Sequence, residues 1–299
     1  NAGATFQRLM DIVLSGLSFD VCLAYLDDII VFSVDEESHI ERLKLVLSRL
    51  AEAGLKLKPS KCALMQRSVT FLGHVISSEG IGTDPSKIRD IIEWPIPRNV
   101  KEVRAFLGIC GYYRRYVEGF AGIAKPLHAL TQKDRRFEWT SECQAAVQRL
   151  KSTLTSPSVL GMPNDTGQFV LDTDASNWAI GAVLSQQQDG VERVIAYGSR
   201  KLSKAEINYC VTRRELLAIV YFLKYFRHYL LGRPFIVRTD HAALQWLRRT
   251  PDVMGQQARW LSVMEEYDFS VVHRPGSRHG NANAMSRIPC SKPECCSSP

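Results

Sequence analysis

The stretch "QFVLDTDAS" (168–176) decides the fold of the second half of this chain, because it is the first of several strand-like segments there. Its apolar and β-branched residues give way to polar ones, which is typical of a strand that ends at a polar edge. "AIGAVLSQQ" (179–187) and "ERVIAYGSRKL" (192–202) have a similar composition and follow after short gaps. Three consecutive strands are therefore predicted.

The segments that follow complete one domain. A helix is predicted from about Thr212 to Leu230, and Gly232 ends it. "PFIVRTD" (234–240) and "YDFSVVHRPG" (267–276) are predicted to be the fourth and fifth strands. Strands, helix, strand, helices and strand in this order predict an α/β (α+β) domain with a five-stranded mixed sheet flanked by helices.

Acidic residues stand near the ends of two of these strands. Asp172 and Asp174 lie near the end of the first strand, and alternation places them on one face. Asp240 ends the fourth strand. Because crevices form at strand ends in α/β sheets, these residues are candidates for a site. Taken alone, Asp172 and Asp174 also fit ordinary polar residues at a strand end.

Glu215 is unusual because it lies on an otherwise apolar helix face, together with Ala218 and Ile219. Its spacing from Thr212 also fits a capping box, in which the carboxylate would bond a backbone amide. Local pattern leaves both interpretations open.

The stretch "LAYLDDIIVFS" (23–33) near the start of the chain carries two adjacent acids, Asp27 and Asp28. Its flanks predict a hairpin with the aspartates at or near the turn, where Asp is a common residue. The alternative is a metal site, because paired carboxylates among apolar neighbours repel each other and lose solvation, and a divalent cation relieves both costs.

Helical segments surround these strands. In the first part of the chain, helices are predicted at 3–18 and 36–53, and strands around 55–57 and 69–77. A helical unit is predicted over 82–133, with Asp84-Pro85 as a helix start and Asn99 with Glu102 as a capping box. Later helices are predicted at the following positions: 140–154, 241–248, 255–266 and 282–286.

Composition sets further limits on the 299-residue chain. Hydrophobic residues make up 45%, charged residues 23%, and the net charge is +7. The length suits two or three domains, and the positive charge favours a polyanionic partner. The longest apolar run, Leu216 to Leu223, is too short to span a membrane, so no membrane partner is expected. The first residue is Asn1 rather than Met, so a fragment is expected.

The eight cysteines fall into two groups. Five occur singly, mostly in apolar segments, and are predicted to be reduced, buried thiols of an intracellular protein: Cys22, Cys62, Cys110, Cys143 and Cys210. Cys290, Cys295 and Cys296 crowd a tail with Pro and Ser. Their spacing matches no standard zinc pattern, so a tail or linker is expected there.

Eight motifs occur in one order that resembles the polyprotein of gypsy-type LTR retrotransposons. They are "YLDD", "FLGHVISSEGI", "WPIPRNVKEVRAFLGICGYYRRYV", "FEWTSECQAAVQRLK", "DTDASNWAIGAVLSQ", "TRRELLAIVYFLKYFRHYLLG", "RTDHAALQWL" and "HRPGSRHGNANAMSR". The resemblance implies four regions: a reverse transcriptase palm end at 1–80, a thumb-like unit at 81–135, an RNase H-like domain with its connecting helix at 136–288, and a tail at 289–299.

The resemblance also implies roles for single residues. Asp27 and Asp28 match the metal-binding pair of the polymerase, whose third aspartate would lie before residue 1, so that site is expected to be incomplete here. Asp174, Glu215 and Asp240 match three metal-binding RNase H carboxylates, and Asn283 stands where the family has a fourth acid.

The function implied is Mg²⁺-dependent endonucleolytic hydrolysis of the RNA strand of RNA–DNA hybrids, through a two-metal site in which Mn²⁺ could substitute. Asn283 offers an oxygen but no charge, so weaker metal binding is expected. The alternative is a catalytically dead nucleic-acid-binding remnant of a decayed element. Expected partners are the hybrid, primer–template and the rest of the polyprotein, in a cytoplasmic nucleoprotein particle or the nucleus.

Nucleic-acid contacts are predicted in the helical unit. The run "GYYRRYV" interleaves rings and cations, and Tyr113, Arg114 and Arg115 suit backbone and sugar contacts. Alternatively the tyrosines are core residues and only the arginines are solvated. A basic face facing phosphate is expected to include three further residues: Arg98, Lys101 and Arg104.

Overall fold

The computed structural model describes residues 1–133, 135–155, 159–239 and 255–273. They form two compact units, Asn1–Ser78 and a second that begins at Glu79. The division lies next to the predicted end of the first region at residue 80, and the other predicted boundaries stay predictions. Of the helices in the described ranges, none is long and apolar enough to cross a membrane.

The first unit consists of two helices and two hairpins. Its elements are α1 (Ala2–Val13), β1 (Cys22–Tyr25), β2 (Asp28–Val31), α2 (Glu36–Glu52), β3 (Ser68–Phe71) and β4 (His74–Ser77). Strands β1 and β2 pair antiparallel, as predicted, and so do β3 and β4. The two helices pack on the first hairpin through Met10, Leu14, Cys22, Val46 and Leu50.

Two predictions in this unit are wrong, one in the end of a helix and one in the existence of a strand. The first helix ends at Val13 rather than at residue 18, because the chain turns at Gly16, whose φ is +80°. No strand forms at 55–57. Gly54 has a φ of +70°, and the amide of Leu55 bonds the carbonyl of Leu50 at the end of α2, so that amide is not available to a neighbouring strand.

The second unit begins with a short strand that is followed by helices. Its first elements are β5 (Gly80–Thr83), α3 (Pro85–Ile92), α4 (Val100–Tyr112), α5 (Phe120–Ile123), α6 (Lys125–Leu130) and α7 (Ser141–Thr155). Asp84 accepts the backbone N–H of Ser86 at 2.9 Å, and Asn99 accepts that of Glu102 at 2.9 Å. These caps confirm both predicted helix starts. One core joins α3, α4, α6 and α7, so α7 packs with the preceding helices.

The prediction that the five single cysteines are buried is confirmed for only three of them. Cys22, Cys110 and Cys143 are buried, as predicted, and Cys62 and Cys210 are exposed. Burial raises the pKa of the Cys110 thiol to about 12, which keeps it protonated and unreactive. Cys290, Cys295 and Cys296 lie outside the described residues.

The predicted mixed sheet follows these helices. Its strands are β6 (Phe169–Ala175), β7 (Ala179–Gln188), β8 (Val191–Lys201), β9 (Phe235–Thr239) and β10 (Phe269–His273). They lie in the order β10-β9-β6-β7-β8. Strand β6 is central, antiparallel to β7 and parallel to β9. All five predicted strands are confirmed.

Helices cover this sheet. The remaining ones are α8 (Val211–Tyr225), α9 (Arg227–Leu230) and α10 (Gln256–Glu265). Apolar residues of α8 share a core with Leu171 and Ile180 of the sheet. A Cβ on Gly198 would lie 2.6 Å from the Phe222 ring, so glycine permits this close helix–strand approach. The predicted long helix is divided at Phe226. The helices predicted at 241–248 and 282–286 lie outside the described residues.

Candidate active site

Asp174 lies one residue before the end of the central strand β6 and is only 2% exposed. It stands opposite Gly181 of β7, and the other neighbour of β6 is the parallel strand β9. Because β7 pairs with β6 as far as Ala175 and β9 pairs with it as far as Asp172, the carboxylate is held at the end of a well-supported central strand.

Glu215 reaches the same edge from α8. The helix begins at Val211 with Cys210 as its N-cap, so Thr212 lies inside the helix and the capping interpretation of Glu215 is wrong. Instead, Glu215 Oε1 accepts the backbone N–H of Ala175 at 3.3 Å, and the side chain is 3% exposed. The fold therefore brings Glu215 beside Asp174, which is 41 positions earlier in the chain.

Arg214 extends this connection and was missed by sequence reasoning. It is 9% exposed, and its Nη1 donates to the carbonyl of Ser176 at 3.1 Å and to Asn177 Oδ1 at 2.5 Å. Two neighbouring residues of α8, Arg214 and Glu215, thus hydrogen-bond the three residues that follow Asp174. The signal in the sequence that could have indicated this role was an arginine directly before Glu215 at the start of a long apolar helical run.

Asp172 has a different environment from Asp174. It forms an ion pair of 3.6 Å with Arg238 of β9, which also contacts Glu192 at 2.9 Å. The charge of Asp172 is therefore balanced within the sheet, which favours a structural role. Asp240 follows Thr239, the last residue of β9, but both Asp240 and Asn283 lie outside the described residues.

Asp27 and Asp28 lie at the hairpin turn in the first unit, as predicted. Asp28 begins β2 opposite Tyr25, and Leu26 in the turn has a φ of +51°. Both aspartates are exposed, so the desolvation expected from their apolar neighbours is absent. Across the described ranges, no group of three or more His, Cys, Asp or Glu side chains is arranged to hold a metal ion.

The predicted nucleic-acid residues divide into buried and exposed groups. Tyr113 is 1% exposed and belongs to the helical core. Arg114 donates to the carbonyl of Ser199, and Arg115 donates to the Ile195 carbonyl at 3.4 Å. Both arginines are half-buried against β8, which gives them a packing role, and a role in binding nucleic acid stays a prediction.

The other three basic residues are accessible. Arg98, Lys101 and Arg104 are exposed at or near the start of α4, and Arg104 also donates to the carbonyl of Thr131 at 3.2 Å. Their geometry leaves the predicted phosphate contact open to test.

Two known protein families match parts of this chain. Residues 1–76 match the reverse transcriptase (RNA-dependent DNA polymerase) family, and residues 164–267 match the RNase H-like domain found in reverse transcriptase. The Pol polyprotein from Drosophila melanogaster transposon 297 is 42% identical over 96% of this chain. The Tf2-3 transposon polyprotein of Schizosaccharomyces pombe is 36% identical over 96% of the chain. The chain spans 27% and 22% of their respective lengths.

Solved structures agree with this assignment. A foamy viral protease–reverse transcriptase in complex with double-stranded DNA is 26% identical, with a TM-score of 0.80 over 92% of this chain and 49% of that chain. A foamy viral protease–reverse transcriptase in complex with an RNA/DNA hybrid has the same fold, at 24% identity and a TM-score of 0.80 over 98% of this chain and 40% of that chain. The chain therefore belongs to the retroelement Pol polyprotein family and carries reverse transcriptase and RNase H-like sequence.

Proposed function

We propose that this chain hydrolyses the RNA strand of RNA–DNA hybrids in a Mg²⁺-dependent reaction. The observation that supports the proposal is the meeting of Asp174 and Glu215, both almost fully buried, at the end of the central strand. Two acids buried at the same strand end raise the free energy of the folded state unless positive charge compensates theirs. Such an arrangement is typical of a functional site.

The donor set fits magnesium. Mg²⁺ prefers hard oxygen ligands and commonly uses one or two carboxylates, which Asp174 and Glu215 offer. Together with Asp240 they would hold the metal, which would supply an activated water and stabilise the leaving oxygen when bound. Contacts within the protein fix the positions of the residues that would hold the metal. Glu215 is oriented by the Ala175 amide, and Arg214 holds the turn that follows Asp174.

Nucleic acid is supported as the partner by the foamy viral relatives, whose structures contain double-stranded DNA or an RNA/DNA hybrid. For this chain, the hybrid as substrate, a primer–template as second ligand and a cytoplasmic nucleoprotein particle as location are parts of the proposal. Asn283 favours a second candidate, a catalytically dead hybrid-binding remnant, because an amide brings no negative charge to a metal.

The decisive experiment compares the chain as it stands with three variants on a labelled RNA–DNA hybrid: Asn283→Asp, Asp174→Asn and the double variant. We expect the unmodified chain to cleave weakly and to need elevated Mg²⁺. Asn283→Asp is nearly isosteric and restores a charge, so it should cleave faster at low Mg²⁺. Asp174→Asn should abolish cleavage in both backgrounds without loss of hybrid binding. If Asn283→Asp binds the hybrid normally and stays inert at every Mg²⁺ concentration, the remnant interpretation replaces this one.

A further inference from the structure

A cationic pocket of about 150 Å³ lies between the helical part of the second unit and the end of β8. Its lining includes four cations, Arg114, Lys125, Arg200 and Lys201, together with the His128 ring, and no carboxylate lines it within the described part of the chain. The volume is below the roughly 300–1,000 Å³ of sites for drug-sized ligands, so the pocket suits one small anionic group.

Only part of this positive charge is compensated within the protein. Arg200 pairs with Glu206 at 2.9 Å and stacks on Tyr221. Among the described residues, Arg114, Lys125 and Lys201 form no ion pair with a carboxylate. Arg114 is directed toward β8 by the Ser199 carbonyl, and the Lys125 ammonium lies 4.9 Å from the Trp178 ring centroid.

These contacts hold the pocket in shape. Ser199 Oγ accepts the backbone N–H of Ala121 at 3.0 Å, which fixes α5 against β8. Gly122 lets the Trp178 ring lie against the helix backbone, since a Cβ there would be 2.8 Å from the ring. Arg114 and Lys125 are therefore held against packed backbone and the Trp178 ring instead of extending freely into solvent. This lowers the conformational entropy that they lose when an anion binds.

The pocket and the candidate active site lie on one line across the sheet. Asp174 is opposite Gly181, and Gly181 is opposite Ser199. Residues directly opposite each other in antiparallel strands project to the same face, so Asp174 and Ser199 share a face, and so does Lys201 two residues on. Two strand spacings separate β6 from β8, which is about 10 Å. The intervening residue, Gly181, contributes no side chain.

We propose that the pocket formed by Arg114, Lys125, His128 and Lys201 binds a backbone phosphate of the nucleic acid whose cleavage site lies at Asp174 and Glu215. The choice of nucleic acid rests on the proposed function. A separation of about 10 Å corresponds to about three nucleotides at 3.4 Å per nucleotide along a strand, so one polymer can occupy both places. A free phosphate is not joined to a group at the acids, so the position of the pocket relative to them would not affect its binding.

The test uses the full chain and a fluorescent 20-base-pair RNA–DNA hybrid, titrated by anisotropy at several salt concentrations without divalent cations. The test variant is Lys125→Gln/Lys201→Gln. The matched control is Lys87→Gln/Lys224→Gln, which removes the same charge from exposed positions of the same unit. Loss of one phosphate contact should flatten the slope of log affinity against log salt by about 0.9. The control should retain the slope of the unmodified chain.

Two further measurements identify the ligand. Ethylation of single phosphates should weaken binding of the unmodified chain at a position about three nucleotides from the cleavage site, and this interference should vanish in the test variant. Calorimetry with inorganic phosphate provides the other arm. If only inorganic phosphate binding depends on the two lysines, the pocket binds a free anion and the proposal is overturned.

Failure of this proposal can be separated from failure of the proposed function. Binding is measured without cleavage, and cleavage by the unmodified chain is measured on its own. An unchanged salt slope in the test variant, in a chain that still cleaves the hybrid, overturns only the phosphate site. An altered slope in a chain that never cleaves supports the phosphate site and contradicts the nuclease.

Discussion

Glu215 Oε1 lies 3.3 Å from the backbone nitrogen of Ala175, and this hydrogen bond joins α8 to the end of β6 next to Asp174. The bond places a helix acid and a strand acid at one edge of the sheet although they are distant in sequence. Glu215 thus has two properties that can be tested separately, an oxygen that accepts a hydrogen bond and a negative charge.

Glu215→Gln should separate those two properties by experiment. The amide keeps an oxygen that can accept the Ala175 N–H, so the melting temperature should stay close to that of the unmodified chain. The lost charge should reduce hybrid cleavage by about 100-fold or more, as for other preorganised charged groups. Gel-based cleavage and thermal unfolding provide the two measurements. Equal cleavage by the variant would remove Glu215 from the active site.

Arg214→Ala should destabilise the second unit. The substitution removes the donor to the Ser176 carbonyl and to the Asn177 side chain in a buried position, and the expected cost is about 1–3 kcal/mol in the free energy of unfolding. Urea titration measures this cost. Arg213→Ala is the neighbouring control, since Arg213 contacts Gln256 rather than the turn after Asp174. A variant as stable as the unmodified chain would show that the turn is held by other contacts.

Arg115→Ala and Lys101→Ala should differ in their effects. Arg115 bonds the carbonyl of Ile195 and the hydroxyl of Tyr229, so its loss should lower stability by about 1–2 kcal/mol. Lys101 is exposed, so its loss should leave stability unchanged and flatten the salt slope of hybrid binding by about 0.9 if it contacts a phosphate. Urea titration and anisotropy distinguish the two, and a reversed pattern would contradict both assignments.

Acid should weaken the fold through His128. Partial burial lowers its pKa below the ordinary 6.5, and the positive charges of Lys201 and Arg114 lower it further. Between that lowered pKa and 6.5 the unfolded chain binds more protons, so the free energy of unfolding should fall as pH decreases through this range. His128→Gln should reduce this slope.

NMR titration of the His128 ring measures the pKa directly. A value at or above 6.5 in the free protein would contradict the prediction. Binding of hybrid in the pocket that His128 lines should raise the value, because a phosphate favours the imidazolium form.

The 299-residue chain by itself should not extend a primer. Asp27 and Asp28 are exposed at a hairpin turn, and the described residues supply no third acid to complete a metal site there. Nucleotide addition on a primed RNA template with Mg²⁺ should therefore equal that of the Asp27→Asn/Asp28→Asn variant. Extension above this control would show that two aspartates suffice.

The sequence by itself determined the order of the elements and the family. The apolar and β-branched residues of "QFVLDTDAS" predicted a strand because that preference depends on local residues, and the caps at Asp84 and Asn99 are equally local. The end of the first helix and the division at Phe226 were not predicted, because element ends depend on competing contacts that composition does not encode.

Only the tertiary structure decided what single side chains do. Glu215 fitted a capping box on local pattern, and the packing of α8 against β6 gave it a partner across the sheet instead. Asp172 and Asp174 share a strand, yet the parallel neighbour β9 supplies Arg238 to Asp172. Arg114 was predicted to contact nucleic acid, and that stays a prediction, but only the fold shows that its guanidinium bonds the Ser199 carbonyl. Each outcome depends on residues distant in sequence, whose approach is fixed by the burial of apolar surface over the whole unit rather than by any local pattern.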